Sequence, residues 1–391
     1  MQRHTTHTRR PRRATWRTLI AGVAVVATGA LLAGCTDDRP LDQAVDDATA
    51  LSTGVIAAGV AEQLQAALDS YVDRYDVPGA VAGVRLPESE WTSAVGLADR
   101  ESDTEMTADL VWPIRSITKS FTVTVLLQLV DDGEISLDDT LDEWVPEMTN
   151  SDEITLGQLA DMTSGVPEYT NEAFISDFIE DQDGTYTAQD LIGYALTEDP
   201  SSEPGEAHLY INTSTVLLGE VIEQVTGQDF DEVVSERVLE PLGLSDTVYV
   251  TEPHGWTGPH ATGYQPDGDE LAPQDANFTV FGTAGAMIST LDDLIEWGPA
   301  LADGELLEDE THAARLVGSP LDAGPEYDEY AFGIGQIDGW WGHTGEGFGV
   351  TALVMHERDA GATVAIFMNL SNVADHVPTK LFREFARILS S

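Results

Sequence analysis

Ser116 and Lys119, in the run Arg115-Ser116-Ile117-Thr118-Lys119-Ser120, are a nucleophile and a base at helical spacing. Residues three apart share a helix face, so a helix beginning at Ser116 brings the amine within hydrogen-bond reach of the hydroxyl. A serine hydroxyl attacks a carbonyl only once something takes its proton, and a desolvated, uncharged lysine can do so. A free lysine has a pKa of ~10.4, and work near neutrality means lowering it by about 3 pH units, on the order of 4 kcal/mol. The spacing alone arises often by chance. Among 391 residues there are only two lysines, Lys119 and Lys380, which gives this one more weight.

The elements around this pair are legible from periodicity. Val60, Leu64, Leu68, Tyr71, Val72 and Tyr75 recur at three and four, which predicts an amphipathic helix ending before Pro78. Residues 80–86 and 91–97 read as a strand hairpin across Pro87. After Ser116, residues 121–130 are apolar on nearly every face, the pattern of a buried helix. From Asp131 to about Gly282, short helical patterns broken by Gly and Pro predict a mostly helical insertion. Residues 330–337, 348–356 and 362–370 read as antiparallel strands, and Leu381, Phe382, Phe385 and Ile388 predict a closing helix over 379–389.

Two more runs supply chemistry: Tyr210-Ile211-Asn212, and Trp341-Gly342-His343-Thr344-Gly345 at the start of a late strand. With Ser116 and Lys119 they resemble, in order, the three motifs of the penicillin-recognising serine hydrolases, in the branch of class C β-lactamases, Streptomyces-type D-Ala-D-Ala carboxypeptidases and related esterases. The flanks Val77-Pro78-Gly79-Ala80, Leu159-Ala160-Asp161-Met162-Thr163-Ser164-Gly165 and Thr283-Ala284-Gly285-Ala286-Met287 agree, so the resemblance spans roughly residues 55–389.

The resemblance implies an α/β (α+β) fold: an antiparallel sheet flanked by the N- and C-terminal helices, with a helical domain inserted and the site between them. It implies that Ser116 forms an acyl-enzyme, that Lys119 helps take its proton, and that Tyr210 passes the proton to the leaving group; either of the last two can be the base. Asn212 would donate from its amide to the substrate and to Lys119. His343 and Thr344 would lie along the strand edge that binds substrate, and Gly345 would let it come close. The backbone N–H groups of Ser116 and Glu346 would form the oxyanion hole. No metal or organic cofactor is implied. Other readings of neighbouring residues are plainer: Trp340 and Trp341 as packing, Tyr169 and Phe174 as either pocket wall or packing, and His254 and His260 as surface residues without a carboxylate partner at ligand spacing.

The ends set the setting. Five arginines between Arg9 and Arg17 precede the apolar stretch 19–32 and Leu32-Ala33-Gly34-Cys35, which reads as a lipoprotein signal over 1–34 with lipidation at Cys35. That predicts an exported chain anchored by lipid to the outer face of the membrane, with 35–54 as a flexible acidic tether. The hydrolase domain then occupies 55–391, its α/β part about 55–115 and 283–391 and its helical part about 116–282. Cys35 is the only cysteine, so no internal disulfide can form. The net charge of −51 becomes −57 once the six arginines of residues 1–34 are removed, which excludes nucleic acid as a partner. A small peptide, ester or β-lactam substrate and a monomer are expected.

One departure bears on the substrate. In the carboxypeptidase branch, a strand like Phe332-Gly333-Ile334-Gly335 is followed by an arginine that would hold a peptide carboxylate; here Gln336 follows, leaving Arg115 or another residue to serve. The flanks 167–171, 245–249 and 260–264 still look closest to the carboxypeptidase, which ranks first. An esterase or β-lactamase using the same serine ranks second, and a non-catalytic β-lactam sensor last.

Overall fold

The computed structural model describes residues 49–268, 270–275, 277–371 and 376–391. The expected signal and Cys35 lie outside the described residues, as does the tether through residue 48. Order begins earlier than expected: Ala50–Thr53 is a helical turn capped by the Thr49 hydroxyl, with Ala50 buried. Among the described residues no helix is long and apolar enough to cross a membrane.

Eight strands form one antiparallel sheet: β1 (Gly79–Leu86), β2 (Ser89–Asp99), β3 (Thr104–Glu105), β4 (Glu329–Tyr330), β5 (Gly335–Ile337), β6 (Trp340–Gly347), β7 (Val350–Glu357) and β8 (Ala362–Met368). Their order is β3-β2-β1-β8-β7-β6-β5-β4, so the N-terminal hairpin closes onto the last strand with Ala80 opposite Met368. Successive residues on a strand face opposite ways, and the core divides accordingly. Ala80, Ala82, Val84, Leu353, Val364 and Ile366 pack against Leu64 and Leu68 of α1 (Ala58–Arg74) and Leu381, Phe382 and Phe385 of the last helix (Val377–Leu389). Each such Leu or Phe, fully buried, contributes about 1.5–3 kcal/mol. The two terminal helices therefore share one face, as expected.

The opposite face, with Val81, Val354, Ala365 and Phe367, is covered by a helix not foreseen, Leu291–Asp303. Its caps are in the sequence: the Thr290 hydroxyl accepts from Asp293 N, and Gly304 ends it in the left-handed region. Trp297 on this helix stacks on Phe121 at 3.9 Å and donates to Ser120 Oγ at 3.0 Å. It thereby ties the sheet to α2 (Thr118–Asp131), the buried helix that follows Ser116. The inserted region is mostly helical, led by α3 (Asn212–Thr226), but includes the hairpin Gly263–Asp267 with Glu270–Gln274. Phe348, expected in a strand, is instead the turn between β6 and β7: Phe348 and Gly349 are the two loop residues, with φ of 45° and 78°.

Candidate active site

Ser116 sits in the single turn Arg115–Ile117 that joins the strand Trp112–Pro113 to α2. The turn is held from two sides: Ile114 N donates to Met287 O at 3.0 Å, and Met287 N donates to Thr118 Oγ1 at 3.2 Å. Lys119, one turn on, is fully buried. Its Nζ donates to Ser116 Oγ at 3.1 Å, Asn212 Oδ1 at 2.8 Å and Ala284 O at 2.8 Å. Burial lowers the Lys119 pKa to about 7, against a weaker upward pull from the Glu168 carboxylate. At neutral pH a large share of the amine is therefore uncharged and able to accept the serine proton.

Tyr210 places its ring 5.0 Å from Lys119 Nζ. Burial raises its pKa well above the usual phenol value, so the group stays protonated. Its hydroxyl is buried and closes no hydrogen bond of ordinary geometry, although Ser116 is near enough to favour the phenolate slightly. Of the two groups left open as base, Lys119 has the lowered pKa and Tyr210 is held as a proton donor.

Asn212 opens α3 and corrects one expectation: toward Lys119 it accepts, through Oδ1, and its Nδ2 donates to Glu168 Oε2 at 3.1 Å. Glu168 also accepts from Asn212 N at 2.8 Å, satisfying a free N–H of the helix's first turn. Burial raises the Glu168 pKa; these bonds and Lys119 pull it back down. Sequence reading quoted Glu168 only as a flank. Its partners lie 44 residues away, and no local spacing announces them.

β5 pairs with β6 only as far as Gly335 opposite Gly342, so beyond that point β6 presents an open edge. Thr344 lies on it, partly exposed, its N–H donating to the Tyr327 hydroxyl at 2.7 Å and its Oγ1 sharing that hydroxyl at 2.8 Å. By strand alternation the Glu346 N–H faces the same way. His343 does not line this edge: it is fully buried, and burial lowers its pKa to about 3, so it is neutral. Its Nδ1 donates to Thr344 O at 2.7 Å, which leaves Nε2 to accept from the Tyr330 hydroxyl at 3.1 Å. The histidine braces the strand from behind.

Gly345 is also corrected. A Cβ there would stand 2.2 Å from Ile114 O and 3.0 Å from Arg115 Cβ. The close approach that requires glycine is by the chain's own nucleophile turn, and it sets the spacing between Ser116 and Glu346.

Trp340 and Trp341 are buried packing, as read. Tyr169 and Phe174 prove to be packing as well, edge to face at 5.5 Å with the Tyr169 hydroxyl donating to Val280 O. His254 does have carboxylate partners, Asp183 at 3.1 Å and Asp275 at 3.3 Å, both remote in sequence; His260 stacks on Trp256 at 3.7 Å. No cluster among the described residues could hold a metal ion.

Three outcomes follow from the electrostatics. If neutral Lys119 is required, kcat/KM rises with pH through about 7 and then levels. The same depression means the unfolded chain binds the extra proton between about 7 and 10.5, so this group makes the fold more stable as pH rises through that window. Glu168→Gln removes the charge that raises the Lys119 pKa while its amide oxygen still accepts from Asn212, so the acid limb of a kcat/KM profile should move to lower pH with the plateau little changed. An unmoved limb would contradict that role.

A profile of the family described as Beta-lactamase matches residues 64–385. Esterase EstB of Burkholderia gladioli is 32% identical over 56% of this chain and 59% of its own length. Penicillin-binding protein 4 of Amycolatopsis lactamdurans is 24% identical over 82% of this chain and 88% of its own. Among solved structures, a D-stereospecific amidohydrolase from Streptomyces sp. superposes with a TM-score of 0.73 at 31% identity, over 82% of this chain and 97% of that one. With a matching profile over most of its length and this fold, the chain belongs to the beta-lactamase family of serine hydrolases and penicillin-binding-protein-like enzymes.

Proposed function

We propose that the protein hydrolyses an amide bond at a D-residue through an acyl-enzyme on Ser116, as a D-Ala-D-Ala carboxypeptidase of cell-wall peptides, exported and anchored by lipid at Cys35. The observation that carries the reading is a fully buried lysine of lowered pKa, 3.1 Å from the serine hydroxyl and fixed by Asn212. Ser116 Oγ attacks the carbonyl carbon as its proton passes to Lys119 Nζ, and the carbonyl oxygen takes the negative charge beneath the Ser116 and Glu346 N–H groups. Collapse breaks the C–N bond, the amine leaving with a proton from Tyr210, which Lys119 restores. Water then attacks the ester, giving up its proton along the same path, and frees Ser116. Similarity to a D-stereospecific amidohydrolase and to a penicillin-binding protein supports a D-residue substrate.

A carboxylesterase is the second reading, favoured by Gln336, which supplies no cation at the position where the carboxypeptidase branch has arginine, and by similarity to EstB. Turnover of a peptide ending in D-Ala-D-Ala, its L-Ala-L-Ala isomer and a short-chain 4-nitrophenyl ester separates them. D-specific release of alanine supports the first reading; ester turnover with no peptide cleavage replaces it with the second.

A further inference from the structure

The backbone groups of β6 turn to its outer edge at every second residue, so Gly342, Thr344 and Glu346 are successive positions along that edge. Gly342 is paired with Gly335 of β5, and the turn at Phe348 and Gly349 ends the strand just past Glu346. Thr344, between them, is closed by side chains. Its N–H donates to the Tyr327 hydroxyl at 2.7 Å, and its carbonyl accepts from His343 Nδ1 at 2.7 Å. The Tyr327 ring is buried and seated where the β5 pairing stops: a Cβ at Gly335 would stand 2.3 Å from Tyr327 Cδ1. Burial raises the Tyr327 pKa, so the phenol keeps its proton, and its oxygen also lies 2.8 Å from Thr344 Oγ1. Tyr327 thus takes the place beside β6 that another strand residue would occupy.

We propose that Tyr327 sets the length of the leaving group: by closing the edge at Thr344, it limits the substrate to at most one residue beyond the scissile bond. The inference rests on the reading above, which puts the scissile carbonyl under the Glu346 N–H. The pairs of this sheet are antiparallel throughout. In such a pair two opposed residues exchange both bonds, and the next exchange lies two residues on. A substrate added to the edge in the same sense has the residue whose carbonyl is cleaved opposite Glu346. The second residue of its leaving group then falls opposite Thr344, where both bonds it would need are already made. A leaving group of a single residue, an amine or an alcohol stops short of that point. Cleavage within a longer chain would have to displace the phenol and break the His343 bond.

The test uses depsipeptides, whose ester bond a carboxypeptidase and an esterase can both break: N-acetyl-D-alanyl-D-lactate, and the same compound extended by glycine at the lactate carboxyl. The matching D-Ala-D-Ala and D-Ala-D-Ala-Gly peptides are run beside them, with products identified by mass. The short depsipeptide should show a kcat/KM on the order of tenfold or more above the extended one, the size of main-chain hydrogen bonds left unmade. Tyr327→Ala, which vacates the edge, should raise kcat/KM for the extended substrate and bring the ratio toward unity, whereas a merely structural loss would lower both together. Tyr327→Phe keeps the ring and frees only the Thr344 N–H, so it should move the ratio part of the way, and it serves if the alanine variant does not fold. Equal turnover of the two depsipeptides by the wild type, or an unchanged ratio in a folded variant, would overturn the length limit. Failure of the carboxypeptidase reading alone looks different: the depsipeptides obey the limit while peptides of both lengths stay intact. Cleavage of none of the four would overturn both.

Discussion

Replacing Lys119 with methionine should lower kcat/KM by on the order of 10³ or more, with the protein still folded. The substitution keeps the length and apolar body of the side chain and removes only the amine. Lost with it are the bonds to Ser116, Asn212 and Ala284, and a buried group whose pKa is brought to about 7. General-base assistance alone contributes about 10²–10⁴. Stability should not fall in parallel, because burying an amine at 0% exposure is itself unfavourable, and an apolar side chain of similar volume relieves that cost. The expected pattern is therefore an inactive protein whose melting temperature is unchanged or raised. Activity within tenfold of wild type would remove Lys119 from the chemistry and return the base to Tyr210.

Gly345→Ala should be nearly as damaging for a different reason. The added methyl would meet Ile114 O at 2.2 Å, well inside van der Waals contact, and neither backbone has room to yield without opening the gap between β6 and the Ser116 turn. Overpacking of this kind costs about 1–3 kcal/mol, and a displacement near 1 Å between nucleophile and oxyanion donors can cost about 10² in rate. Thr344→Ala, one residue away on the exposed edge, makes the control: it removes a hydroxyl shared with Tyr327 but no backbone spacing, and its effect should be smaller and confined to KM. Wild-type kcat in a folded Gly345→Ala protein would show that the glycine is not what spaces the two donors.

What could be read in advance follows the range over which each signal acts. Ser116 and Lys119 are related by helical spacing alone, and the terminal helices announce themselves by apolar residues at three and four, so these were legible locally. Tyr210 and Asn212 are 90 residues or more downstream of Ser116 and became legible only as members of an ordered set. Glu168 was missed because its partner Asn212 is 44 residues off. Arg115 was read only as a stand-in for the carboxylate-holding arginine that Gln336 displaces, and only the fold shows three phenyl rings gathered around it from 278, 281 and 348. His343 and Gly345 were placed correctly on their strand and misread in direction: which face of β6 meets Tyr327 and Tyr330, and which the nucleophile turn, is settled by packing that no run of five residues encodes. The helix Leu291–Asp303 was the opposite case, since its capping threonine and terminal glycine were present and unused.

Time-resolved intact-mass analysis of the purified protein with a penicillin, beside the Ser116→Ala variant, tests the acyl-enzyme most directly. The chemistry set out here predicts a covalent adduct of one penicillin per chain, formed through the Ser116 hydroxyl, decaying as water attacks the ester and absent from the variant. An adduct of the same mass and rate on Ser116→Ala, or hydrolytic activity retained in that variant, would contradict the assignment of Ser116 as the nucleophile.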